Sequence, residues 1–186
     1  MERRGDWMIT FTGRRFWPLD PRREEVSFLD VAHGLSMTCR YGGHTRCFYS
    51  VAEHCVLLAD HFRRENRDDL ARYALLHDAS EAYIGDMIRP LKPELPQFRE
   101  VEGPLELLIM EAAGLGEIPR EVHDADKAII VNEAVALFAP ATLERAAWRL
   151  PPLSLTGVEI MGYQPAYAKE AWLAELERLF PGIELS

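Results

Sequence analysis

Four side chains combine a metal-binding donor with a place on an apolar helical face. His77 and Asp78 follow directly on Ala74, Leu75 and Leu76, so two ligand-capable groups sit where a core is expected. A buried imidazole or carboxylate without a partner is costly, and a cation satisfies both kinds at once. His54 has Ser50, Val51, Leu57 and Leu58 as helical neighbours, a mainly apolar face on which a lone histidine would ordinarily be a packed core residue. Asp124 and Asp126 compete for a fourth place. Asp126 shares its stripe with Val122, Ile129, Ile130, Glu133 and Leu137, whereas Asp124 neighbours Arg120, Glu121, Lys127 and Ala128, a solvated face. Periodicity therefore chooses Asp126. Two nitrogen and two oxygen donors from three helices suit one divalent ion, whether Mn, Fe, Co, Ni, Zn or Mg, without choosing among them.

The elements that must position these residues read as helical after a short start. Trp7 to Pro18 is rich in aromatic and β-branched residues around Gly13, which predicts a hairpin. Helices follow over Ser27–Thr38 and Ser50–Glu65. In the second, Ser50 and Glu53 have the spacing of a capping box, with Glu53 expected to answer the Ser50 amide. A third helix is predicted from Asp68 to Ile84, ending at Gly85. Pro90, Pro93 and Pro96 then impose a loop before helices over Gln97–Ala113 and Pro119–Phe138. Pro140, Pro151 and Pro152 bound a poorly patterned region. A last helix, Pro165–Phe180, puts Ala168, Trp172, Leu176 and Leu179 on one stripe.

The chain has 186 residues, 48% hydrophobic and 27% charged, which suits a single globular domain able to bury its own core. Three cysteines, Cys39, Cys47 and Cys55, form no Cys-x-x-Cys pair and read as reduced thiols. No run approaches a membrane span, and Met1 to Asp6 lacks the apolar stretch of a secretory signal, so a cytoplasmic protein without a membrane partner is expected. A net charge of −9 disfavours a nucleic-acid polymer as partner. Arg14, Arg15, Arg22, Arg23, Arg40 and Arg46 nevertheless make the N-terminal quarter locally basic, suited to a small anionic ligand.

The order His, His-Asp, distant Asp resembles the signature of HD-domain metal-dependent phosphohydrolases. Ser50-Val-Ala-Glu-His54 and His77-Asp-Ala-Ser-Glu-Ala-Tyr-Ile-Gly-Asp86, with Met-Ile-Arg-Pro-Leu-Lys92 after it, are similar to runs of the bacterial 5′-deoxynucleotidase branch. Asp30-Val-Ala-His-Gly-Leu-Ser36 and Arg40-Tyr-Gly-Gly-His-Thr-Arg46 are closer in style to the dATP triphosphohydrolase-like proteins. The resemblance spans about residues 27 to 138 and implies an all-α HD-domain helical bundle, here with a short N-terminal β-hairpin over residues 1–26 and a C-terminal helical region over 139–186.

Carried over residue by residue, the resemblance places His54, His77, Asp78 and Asp126 on the metal ligands and Glu81 on the carboxylate that activates the attacking water. Asp86 falls on a residue that contacts the nucleotide sugar. Glu81 also stands four residues after His77, one turn along the same face. Arg40 and Tyr41 approximate an Arg-Trp pair that grips phosphate and sugar, and the Tyr for Trp change bears on discrimination against ribonucleotides. His44 and Arg46 are further phosphate candidates, while His33, His61, His123 and Cys55 read as structural. The implied activity is hydrolysis of deoxynucleoside 5′-monophosphates; release of triphosphate from a dNTP and a non-catalytic nucleotide-binding module are the alternatives. A homo-oligomer is also expected, since the resembling families assemble and the last helix carries Trp172, Leu173 and Phe180.

Overall fold

The structure, a computed structural model, describes residues 2–186. Strands β1 (Met8–Ile9) and β2 (Arg15–Phe16) form an antiparallel hairpin with Met8 opposite Phe16. Helices follow: α1 (Phe28–Met37), α2 (Val51–Arg64), α3 (Asp68–Leu76), α4 (Glu81–Ile84), α5 (Pro96–Ala112), α6 (Arg120–Leu137), α7 (Pro140–Ala146) and α8 (Pro165–Leu179). The mostly helical chain with its N-terminal hairpin is the architecture expected from the sequence.

The inner faces of α1 to α6 and of α8 meet in one contiguous apolar cluster. The stripe read on α8 is buried as its spacing requires, with Ala168, Trp172 and Leu176 at 0% exposure. The Trp172 indole N–H donates to the Leu75 carbonyl at 3.2 Å, which ties α8 to α3. Trp172 is thus core, and Leu173 and Phe180 pack partly buried against it. Of the three side chains named for an interface, Leu173 and Phe180 keep part of their surface open and Trp172 keeps none.

The hairpin is fastened through its turn and its second strand. Thr12 donates to the buried Asp30 carboxylate from its amide at 2.7 Å and its hydroxyl at 2.8 Å, and Phe16 stacks on Tyr83 with centroids 3.9 Å apart. Gly34 lets α1 lie directly on α4: a Cβ there would stand 2.6 Å from the Ala82 carbonyl oxygen. That close approach seats the turn bearing Glu81.

Two expectations are corrected. The segment predicted as one helix from Asp68 to Ile84 is broken at His77–Ser80 by tight turns, in which Ala79 donates to the Leu76 carbonyl and Glu81 to that of Asp78, both three residues back. The capping box is half formed. The Ser50 hydroxyl accepts the Glu53 amide at 3.1 Å, but the Glu53 carboxylate turns away to accept the amides of Met161, Gly162 and Tyr163 at 2.9, 3.0 and 2.6 Å. Charge-assisted bonds to three amides outweigh the single local one. With Asn132, which bonds Leu155 through both its amide nitrogen and oxygen, Glu53 clamps the irregular stretch between α7 and α8 onto the bundle.

Candidate metal centre

The break after α3 turns two donors toward the same point as α2 and α6. His77, at the end of α3, gives its Nδ1–H to the Ala74 carbonyl at 2.8 Å. His54, on α2, gives its Nδ1–H to the Glu133 carboxylate at 2.7 Å. Both partners can only accept, so Nδ1 is the donor in each ring and Nε2 faces inward, as a lone pair whenever the ring is neutral. These nitrogens face each other at 3.3 Å. Asp78 Oδ2 stands 3.2 Å from His77 Nε2 and 3.7 Å from His54 Nε2. Asp126 Oδ1 stands 3.3 Å from His54 Nε2 and 3.9 Å from His77 Nε2. Donors about 2.1 Å from a shared ion lie roughly 3 Å apart when adjacent and up to about 4.2 Å when opposite, so the spacing of His54, His77 and Asp78 fits one cation. His54, His77 and Asp78 form a group able to hold a metal ion.

Two lone pairs and two carboxylates converging in a buried site repel unless a positive charge lies between them. Burial works to lower the His77 pKa, but Asp78 and Cys55 hold it well above the ordinary imidazole value. Burial likewise works to raise Asp78 and Asp126, yet the imidazoles keep both far below the usual carboxylate range. The pocket thus favours positive charge among ionised carboxylates.

Asp124, the competing aspartate, is exposed and pairs with Arg120 at 3.5 Å and Lys127 at 3.8 Å, remote from the imidazoles. Glu81 is buried beside the cluster, and its Oε2 has no hydrogen-bond partner among the described residues. Burial and the neighbouring carboxylates Asp78 and Asp86 raise its pKa well above the ordinary value; Arg40 and Lys92 oppose them. Lys92 Nζ lies 3.7 Å from Glu81 Oε1 and 3.0 Å from Glu102.

One residue central to this geometry was not singled out from the sequence. Glu133 is fully buried and accepts from His54, from the Tyr49 hydroxyl at 3.0 Å and from the Tyr41 hydroxyl, with Arg40 Nε at 3.4 Å. Burial works to raise its pKa, but Arg40 and His54 hold it down at about 2. The available signal was a glutamate on the apolar stripe of α6, two turns beyond Asp126.

The cluster opens into a cavity of about 850 Å³. Arg40, Tyr41, His44, Asp78, Glu81, Asp86 and Asp126 all line it. Arg40 reaches Asp78 at 3.3 Å. Tyr41 is held with φ at 57°, a left-handed backbone rare outside glycine, within the tight turn Arg40–Gly43. Arg46 is not part of the lining: its guanidinium donates to the Ala136 carbonyl at the end of α6. His33 stacks on Phe11, His61 faces Glu65 at 3.8 Å, His123 is exposed, and Cys55 is buried with Sγ 3.9 Å from His77 Nδ1. Among the described residues no helix is long and apolar enough to cross a membrane.

Fold and site together define a mostly helical protein, with a short N-terminal hairpin, whose His/His/Asp cluster could hold a metal ion. The chain is 39% identical to the uncharacterized protein YfdR of Escherichia coli over 125 residues, 67% of this chain and 68% of that protein. It is 33% identical to an uncharacterized protein of Rhodobacter capsulatus over 181 residues, 90% of this chain and 92% of that one. The chain belongs to the family of these bacterial proteins. No family model matches it.

Proposed function

We propose that this protein is a metal-dependent phosphohydrolase of the HD-domain type, acting on nucleotides and foremost on deoxynucleoside 5′-monophosphates. The observation that carries this reading is the meeting of His54 Nε2, His77 Nε2, Asp78 and Asp126 beside a buried, unpartnered carboxylate oxygen of Glu81.

His54, His77, Asp78 and Asp126 would hold one divalent ion. Such an ion, when bound, polarises a phosphoryl oxygen and makes a water acidic at neutral pH. Glu81 accepts the proton of the attacking water at its free carboxylate oxygen; as the new phosphorus–oxygen bond forms, the bond to the nucleoside 5′-oxygen breaks and that oxygen takes up a proton from solvent, giving nucleoside and phosphate. Arg40, buried between Asp78 and Glu133, balances the carboxylates and presents its guanidinium at the cavity wall to the phosphate. His44 and Asp86 line the same cavity and would meet the phosphate and the sugar.

A second reading, release of triphosphate from a dNTP, draws support from the basic lining. Arg149 lines the cavity with no carboxylate within ion-pair distance among the described residues, and Arg89 reaches only Asp126, at 3.7 Å. The deciding experiment incubates dNMPs, NMPs and dNTPs with Mn, Co, Mg and Zn and separates phosphate from triphosphate. Deoxynucleoside with free phosphate is the expected product; no hydrolysis of any nucleotide with any of the four metals ends the reading.

A further inference from the structure

Much of the cavity's apolar lining comes from two segments remote in sequence, residues 87–90 after α4 and 148–151 after α7. The second presents an indole in a braced position. Helix α7 ends at Ala147 with φ 46° and ψ 41°, a left-handed conformation costly for a residue with a Cβ. The chain leaving that cap sets Trp148 at 5.6 Å and 85° to the Phe138 ring and at 6.1 Å and 79° to the Tyr41 ring. Phe138 and Tyr41 are themselves edge-on at 5.4 Å, and the Tyr41 hydroxyl is fixed on Glu133. Three mutually perpendicular rings therefore hold one another, two of them, Tyr41 and Trp148, in the cavity lining.

An indole that served packing alone would be enclosed, as Trp172 is at 0% exposure. Trp148 keeps 38% of its surface open and lines the cavity. The volume, about 850 Å³, far exceeds what a phosphate group fills and falls within the range of roughly 300–1,000 Å³ usual for sites that enclose whole small molecules. The lining combines the carboxylates Asp78, Glu81 and Asp126 with aromatic and aliphatic side chains, as a site for a ligand with both an anionic and an apolar part requires.

Resting on the nucleotide reading above, we infer that Trp148 is the specificity-determining residue that packs against the substrate's nucleobase while the phosphate lies at the metal centre. Every base has a π-face, so an indole platform selects nucleotides over simple sugar phosphates and discriminates weakly among the bases. Its supporting residues, Tyr41 and Phe138, act by fixing the ring.

The test compares dAMP with deoxyribose 5-phosphate, which has the sugar and phosphate and no base. Binding to EDTA-treated protein is followed by tryptophan fluorescence and calorimetry, and turnover is measured with Mn. Wild type is expected to be quenched by dAMP and not by deoxyribose 5-phosphate. Trp148→Phe keeps Trp7, Trp17 and Trp172 as background, so it should lose the quench while holding dAMP affinity within about threefold, because a ring remains. Trp148→Ala should weaken dAMP binding and raise its KM by about tenfold or more, the scale of one lost base–aromatic stack, with kcat and deoxyribose 5-phosphate affinity unchanged. Equal loss for both ligands, or no loss for either, overturns the inference. Trp148-dependent dAMP binding without turnover would defeat the phosphohydrolase reading and leave the base subsite standing. Turnover of dAMP with KM unchanged in Trp148→Ala would do the reverse.

Discussion

Glu133 Oε1 lies 2.7 Å from His54 Nδ1, and this contact fixes which nitrogen of His54 faces His77 and Asp78. The same carboxylate gathers Tyr41, Tyr49 and Arg40, so one buried charge organises the ring of a proposed ligand and the walls of the cavity together. Replacing it with alanine leaves Arg40 short of a buried partner. Glu133→Ala should cost about 3–5 kcal/mol in urea denaturation. Glu133→Gln keeps the shape and should remain folded, with metal affinity falling by about 10- to 100-fold as the ring loses its anchoring charge. Unchanged metal affinity in Glu133→Gln would show that the orientation of His54 is set by packing alone.

Each of the four proposed ligands should be required for the metal. His77→Ala and Asp126→Ala are expected to lose bound metal and activity together, measured by elemental analysis of purified protein and a phosphate-release assay. Asp124→Ala, two residues from Asp126 but exposed among Arg120 and Lys127, should retain both. Full occupancy in Asp126→Ala, or loss in Asp124→Ala, would reverse the assignment on α6.

Metal binding and turnover should separate at Glu81. Glu81→Ala is expected to keep the metal and bind nucleotide while kcat falls by about 10²-fold or more, the scale of a lost general base. Loss of the metal would make Glu81 a ligand. Unchanged turnover would move the proton acceptor elsewhere, with Asp86, which lines the same cavity, the next residue to replace.

Glu106 should make stability fall with rising pH. Burial, Glu102 and Asp78 push its pKa up to about 7, from 4.5 for an ordinary glutamate. The folded state therefore holds a proton that the unfolded chain releases in this window, and stability drops as pH rises from about 4.5 to 7, then levels off. In metal-free protein, Glu106→Gln should melt with wild type near the lower limit and gain on it up to neutrality. A difference in Tm that stays constant between pH 5 and 8 would refute the shift.

Much of the site was legible in the sequence because it obeys helical periodicity. His54 and Asp126 were found by the apolar company they keep at three and four residues, and Asp124 was set aside by its charged neighbours; the structure puts Asp126 beside the imidazoles and Asp124 in solvent. The α8 stripe was read the same way. Periodicity says which face of a helix turns inward, but it is silent about what arrives there from elsewhere. Glu53 shows this directly: its local partner was predicted from spacing, and the amides of residues 161–163 captured it instead. The turns at His77–Ser80 were hidden for a related reason, since α-helical and three-residue hydrogen bonding differ little in sequence preference and the close seat on Gly34 favours the tighter form.

The residues between α7 and α8 had no pattern to read, because side chains of Asn132 and Glu53 hold them rather than any regular ladder of their own. Trp148 therefore joined the cavity only in three dimensions. The sequence by itself determined the helices and the donors they carry, because both follow from local spacing. Only the tertiary structure decided that Glu133 sets the orientation of His54 and that an indole lines the cavity beside Tyr41, because both depend on contacts between segments about 80 to 110 residues apart.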